Sequence, residues 1–165
     1  MNRSDNKNLK RDTKGIEGLP LKLIIVATVL AITLPGVYRS VSHYDTQRTI
    51  QNIKTQANYF TDKVEQLHKH GVGNSEVIEL ELNDGVFKSI DYFEIQNNTI
   101  YHQVRWSVED EYDGRISTDE NIPIMTEGSS LKLTSGSHEI RLECRYGELK
   151  GREDTTLYIS AELLG

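Results

Sequence analysis

Between Leu23 and Val37 the chain carries no charge, although 27% of its 165 residues are Asp, Glu, Lys or Arg. Counted from Leu19, the apolar run reaches about 20 residues, enough for a helix to cross the ~30 Å hydrocarbon layer of a bilayer. Lys22 lies near its start, where a long aliphatic stem can carry the ammonium to headgroup level. Five cations (Arg3, Lys7, Lys10, Arg11, Lys14) and two acids (Asp5, Asp12) precede the run. Positive flanks stay on the cytoplasmic side, which predicts a single span with the N-terminus inside and everything beyond Val37 outside.

The rest of the chain has the opposite sign. Beyond position 15 it holds 14 basic and 23 acidic residues, a net charge of −9. Such a surface repels phosphate backbones, so nucleic acid is not expected as a partner. Cys144 is the single cysteine, which leaves neither an internal disulfide nor a thiol pair for zinc or redox chemistry. The outer part must therefore be held together by its own core.

An ordinary secretory signal needs a small-x-small cleavage site after its apolar stretch. The segment Ala31-Ile32-Thr33-Leu34-Pro35-Gly36-Val37-Tyr38-Arg39-Ser40 offers no good one. An uncleaved membrane anchor fits the hydropathy, but it leaves the order of parts in front of the run unexplained. That order is Lys14-Gly15-Ile16-Glu17-Gly18. It resembles the class III signal peptides of archaeal type IV pilins and archaellins, in which a basic residue and a glycine precede the cut and a glycine often stands third after it. The resemblance covers about residues 11–40. It implies cleavage by a prepilin peptidase between Gly15 and Ile16, with Gly18 third in the mature chain; a cut after Gly18 is the alternative. Glycine lets a backbone extend into a protease cleft without side-chain obstruction. The chain departs from the bacterial pilin pattern, which has its acid at the fifth mature position; here Glu17 is second and Pro20 fifth.

Beyond the run, Ile50, Ile53, Ala57, Phe60, Val64 and Leu67 recur at alternating spacings of three and four, the apolar stripe of an amphipathic helix. Gly71 and Gly73 supply a stop. One helix is thus expected from the membrane to Gly71, with Pro35-Gly36 as a kink or melted turn. Its upper half, from Ile16 to about Tyr44, is apolar on all sides and needs an apolar environment once outside lipid. The pilin resemblance implies that parallel copies supply it in a filament core. The residues concerned are Leu23, Ile24, Ile25, Val26, Ala27, Val29, Leu30, Ala31, Ile32 and Leu34.

From Ser75 the period changes to two. Ile78, Leu80 and Leu82 alternate with Glu79 and Glu81, and Asn83-Asp84-Gly85 marks a turn. Phe87, Phe93 and Ile95 mark a second strand. Ile100, His102, Val104, Trp106 and Val108 share one face of a third. Shorter strands are expected near Ile122–Ile124 and Leu131–Leu133, and longer ones through Ile140, Leu142, Cys144 and Tyr146 and through Leu157, Ile159, Ala161 and Leu163. Seven or eight short strands between turns predict an antiparallel β-sandwich or partial barrel, of which the sandwich is taken. The fold class is α+β, a long N-terminal helix followed by that sandwich. Four segments are expected: a cytoplasmic leader 1–15, a transmembrane or filament-core helix 16–37, an amphipathic extension 38–73, and an extracellular sandwich 74–165. The fragment from about Ser75 to Gly165 is expected to be largely soluble and β-rich without the membrane segment, and one starting near Thr46 more stable, because the first strand leans on Ala57, Phe60 and Val64.

The chain has no Gly-rich phosphate loop, nucleophile elbow or helical His pair at ligand spacing, and no enzyme activity or cofactor is expected. His68 and His70 suit the negative end of the helix dipole. Glu109 to Glu120 overlays a calcium loop at several positions, with acids at 1, 3, 5 and 12 and glycine at 6. Glu stands where the shorter Asp is wanted, so a solvated acidic hairpin is the plainer reading. Asn97-Asn98-Thr99 is an N-glycosylation triplet on a turn. Together these readings point to a subunit of an archaeal type IV pilus-like surface filament. Its implied partners are copies of itself or related pilins, a prepilin peptidase, and an assembly ATPase with its membrane platform. The alternative is an uncleaved, membrane-anchored binding module; an exported hydrolase is a third reading without a catalytic pair to carry it.

Overall fold

In the computed structural model, which describes residues 14–97, 103–117, 122–149 and 155–164 and their side chains from Pro20 onward, helix α1 runs from Lys14 to His70. It continues through both Pro20 and Pro35. Of the kink or melted turn expected at Pro35-Gly36, the melted turn is therefore not there. Proline forfeits one backbone bond, and the helical turns on either side keep theirs. Gly71 ends the helix in a left-handed conformation, φ +83°. Its N–H reaches the carbonyls of Leu67 and His68, and the Asn74 side-chain amide donates to the carbonyls of His70 and Gly71. The last-turn carbonyls are thus satisfied without a continuing helix.

Eight strands follow: β1 (Ser75–Leu82), β2 (Ile90–Gln96), β3 (Gln103–Val108), β4 (Tyr112–Ile116), β5 (Ile124–Thr126), β6 (Ser130–Leu133), β7 (Gly136–Glu148) and β8 (Thr155–Leu163). They form two four-stranded sheets, ordered β1-β7-β8-β5 and β4-β3-β2-β6. Every pairing is antiparallel except β5 with β8, which is parallel, so the first sheet is mixed rather than wholly antiparallel. Phe87 falls outside β2, in the loop that precedes it.

Alternation places one side of each sheet in a shared core. Ile78, Leu80 and Leu82 of β1, Ile140, Leu142 and Cys144 of β7, and Phe93, Ile95, Val104 and Val108 of the second sheet are buried there. Cys144 behaves as the small buried hydrophobe that its register implies, and burial pushes its thiol pKa up. The helix stripe enters the same cluster. Ile53, Ala57, Phe60 and Val64 are fully buried, with Ile50 and Leu67 nearly so.

Two compact units divide the chain, residues 1–41 and 42–165. The boundary lies inside α1, and the second unit contains the helix stripe together with both sheets.

The described part of the acidic stretch, residues 109–117, forms the turn and second strand of a β3–β4 hairpin. Glu109 and Asp110 turn the chain in left-handed conformations, φ 49° and 51°. Lys88 places its ammonium 2.6 Å from Glu109 and 3.4 Å from Glu111. Asp91, at an irregularity in the β2–β3 register, accepts from the Asp110 N–H at 2.7 Å and the Ser107 hydroxyl at 3.0 Å. A lysine thus sits where the calcium alignment would need a cation. In β4 successive positions face opposite sides of the sheet, and no group of three potential metal ligands comes together among the described residues. Glu120 lies outside them. The same alternation turns Gly114 toward the core, where the Trp106 ring lies across it. A Cβ there would stand 2.2 Å from Trp106 Cζ2.

Candidate functional site

Unit one presents a bare apolar surface. Leu23, Ile24, Ile25, Val26, Val29, Leu30, Ile32 and Leu34 are each between 48% and 73% exposed, and Ala27 and Ala31 are exposed with them. Four consecutive residues, Leu23 to Val26, point in four directions around a helix. Exposure of all four means that no face is covered. The polar groups in this segment turn inward on the helix itself. Thr28 donates to the Ile24 carbonyl at 2.8 Å, Thr33 to Val29 at 2.9 Å, and Ser40 to Gly36 at 3.0 Å. Hydroxyls satisfied in this way add no unpaired donor to the apolar surface. From Pro20 to Val41 the helix rises about 33 Å, close to the ~30 Å apolar thickness of a bilayer. It is the one helix among the described residues long and apolar enough to cross a membrane. Lys22 stands at one end of the uncharged stretch and Tyr38, Arg39 and Tyr44 at the other, residue types suited to headgroup depth.

Unit two has a polar clamp on the same helix. Asp45 is buried, and its carboxylate accepts the backbone N–H groups of Val86 at 2.9 Å and Phe87 at 2.7 Å. The Phe87 bond foremost, with that of Val86, holds its pKa below the usual carboxylate range. Gly85 passes so close that a Cβ would lie 2.4 Å from Asp45 Oδ2 and 2.6 Å from Thr49 Oγ1. Asn52 accepts the Asn83 N–H at 3.2 Å, and Asp84 accepts that of Ile90 at 2.7 Å. The turn Asn83-Asp84-Gly85, legible as a turn in the sequence, is thereby tied to α1. Its role as the helix's anchor was not legible, because Asp45 in sequence is one acid among many.

The expected processing residues Lys14, Gly15, Ile16 and Gly18 occupy the first turns of α1. Asn97 follows β2; its side-chain N–H donates to the Gly128 carbonyl at 2.7 Å and its backbone N–H to Ser129 at 3.2 Å. The nitrogen that would carry a glycan is thus engaged, while Asn98, Thr99 and His102 lie outside the described residues.

No protein-family model matches the chain, and comparisons with curated proteins and with solved structures return no match. What the chain does must be argued from its own surfaces.

Proposed function

We propose that this protein is a non-enzymatic subunit of an archaeal type IV pilus-like surface filament. It is made as a single-span membrane precursor with its N-terminus inside. A prepilin peptidase cuts between Gly15 and Ile16, and an assembly ATPase with its membrane platform moves the subunit from lipid into a bundle of α1 helices, with the sandwich outermost. The observation that carries the reading is the uncovered apolar surface from Leu21 to Val41, in a chain whose second unit already closes a core of its own. The same surface suits lipid before assembly and neighbouring helices after it. The Lys14-Gly15-Ile16-Glu17-Gly18 resemblance adds the processing step.

Ala31→Gln separates a filament from a permanent anchor. Glutamine carries no charge, so the helix still inserts, but its bulk disturbs close helix packing. The expected result is processed protein in the membrane, beginning at Ile16 by N-terminal sequencing, and loss of surface fibres. Gly15→Val is expected to leave the leader attached. Fibres of normal abundance from Ala31→Gln, or an intact Met1 on protein from native cells, would defeat the filament reading in favour of the anchored binding module.

A further inference from the structure

The sandwich carries two like-charged pairs, of opposite sign, on its two outward faces. On the second sheet, Arg105 of β3 lies directly opposite Arg115 of β4. Both are exposed and flank an open depression of about 500 Å³, lined also by Gln103, Asp113 and Gly114. Glu94 is Arg105's neighbour on β2, but its oxygens accept from the Ser130 hydroxyl at 2.8 Å and the Gln96 amide at 3.3 Å. Neither arginine forms an ion pair among the described residues.

On the first sheet, Glu79 of β1 lies opposite Glu139 of β7, with Glu81 further along the same exposed side. Glu79 accepts a hydrogen bond from Ser137 at 2.5 Å. None of the three glutamates has a cationic partner among the described residues.

Like charges placed directly across a strand pair are destabilising. The chain bears this cost twice, and each pair is the counter-charge that the other lacks. We propose that a second copy of this chain is the partner, the Arg105–Arg115 pair of one subunit seating on the Glu79–Glu139 pair of the next. Guanidinium groups bind carboxylates through two parallel N–H···O bonds, so two arginines facing two glutamates give a directed contact. The two patches are different surfaces, which makes the contact heterologous. A heterologous contact that does not close on itself repeats as an open helix. The inference deepens the filament reading by assigning the contact between outer domains, and rests on that reading for its setting.

The test uses the full chain in its native membrane. Arg105→Glu with Arg115→Glu, and separately Glu79→Lys with Glu139→Lys, are each expected to reduce inter-subunit association about tenfold or more. All four substitutions in one chain are expected to restore it. Independently, Arg105→Lys with Arg115→Lys keeps the charge and allows zero-length carbodiimide coupling, which should join these lysines to Glu79 or Glu139 of another copy. Unchanged association in either reversed variant, no restoration in the fourfold exchange, or couplings that map elsewhere would overturn the proposal. Binding of a sulfated glycan lost on arginine reversal, with no inter-chain coupling, would also overturn it. If the unsubstituted chain forms no fibres, yet membrane-extracted oligomers of the Arg105→Lys, Arg115→Lys chain give the expected couplings, the filament reading fails and this contact stands.

Discussion

Suppose the chain is cut to residues 75–165, so that every strand is kept and α1 is lost. Five large side chains leave the core: Ile50, Ile53, Phe60, Val64 and Leu67, none more than 7% exposed. At about 1.5–3 kcal/mol for each buried side chain, the loss is roughly 7–15 kcal/mol. That is an upper figure, because an unfolded chain already hides some apolar surface. It still matches the whole stability of a typical domain, about 5–15 kcal/mol. Alternation alone predicts that this fragment is soluble and β-rich; with the helix stripe in the shared core it is instead expected to be unfolded or aggregated, whereas residues 42–165, which keep both the stripe and Asp45, are expected to fold. Phe60→Ala in the longer fragment should cost about 3–5 kcal/mol. Urea unfolding followed by circular dichroism measures all three. A cooperative transition in residues 75–165 with the same midpoint as in residues 42–165 would refute the reasoning, because it would mean that the sheets close their core unaided.

Three further outcomes follow from particular contacts. Gly114→Ala drives a methyl into the buried Trp106 ring and should destabilise by about 1–3 kcal/mol, read as a lower urea midpoint. Asp110→Gly relieves a left-handed non-glycine residue and should raise stability by up to about 1 kcal/mol, provided the Lys88 contacts to Glu109 and Glu111 persist. The depressed pKa of Asp45 means that its contribution is full above the unfolded carboxyl value of about 3.9 and is lost as pH falls through the lower folded value. Asp45→Asn should therefore lower the melting temperature at neutral pH, and the gap to the unsubstituted chain should narrow at pH values below about 4; a gap that widens in acid would contradict the clamp.

The helix stripe and most strands could be read in advance because burial imposes a period. Ile53, Phe60 and Val64 repeat as a helix requires, and Ile78, Leu80 and Leu82 as a strand requires. β4 could not be read in this way. Its sequence, Tyr112-Asp113-Gly114-Arg115-Ile116, looks like part of an acidic loop, because its core-facing centre is a glycine left small for Trp106. The parallel pairing of β5 with β8 was hidden for another reason: strand order is fixed by contacts between distant segments. Sequence also gave no sign that Asp45 is held by the Val86 and Phe87 N–H groups, or that Arg105 meets Arg115. Those depend on a loop's path and a register, and neither leaves a periodic trace.

The register of β1 sets an order of events in time. Among the described residues its one neighbour within the sheet is β7, which the ribosome makes after β2 through β6. A growing chain exposes α1 and β1 first, yet Phe60 and Leu80 find no finished core until β7 arrives. Non-local pairing of this kind slows folding, and apolar surface left waiting is prone to aggregate. The nascent chain therefore has a vulnerable interval, opened by α1 and closed by β7, during which a chaperone or other escort is most needed.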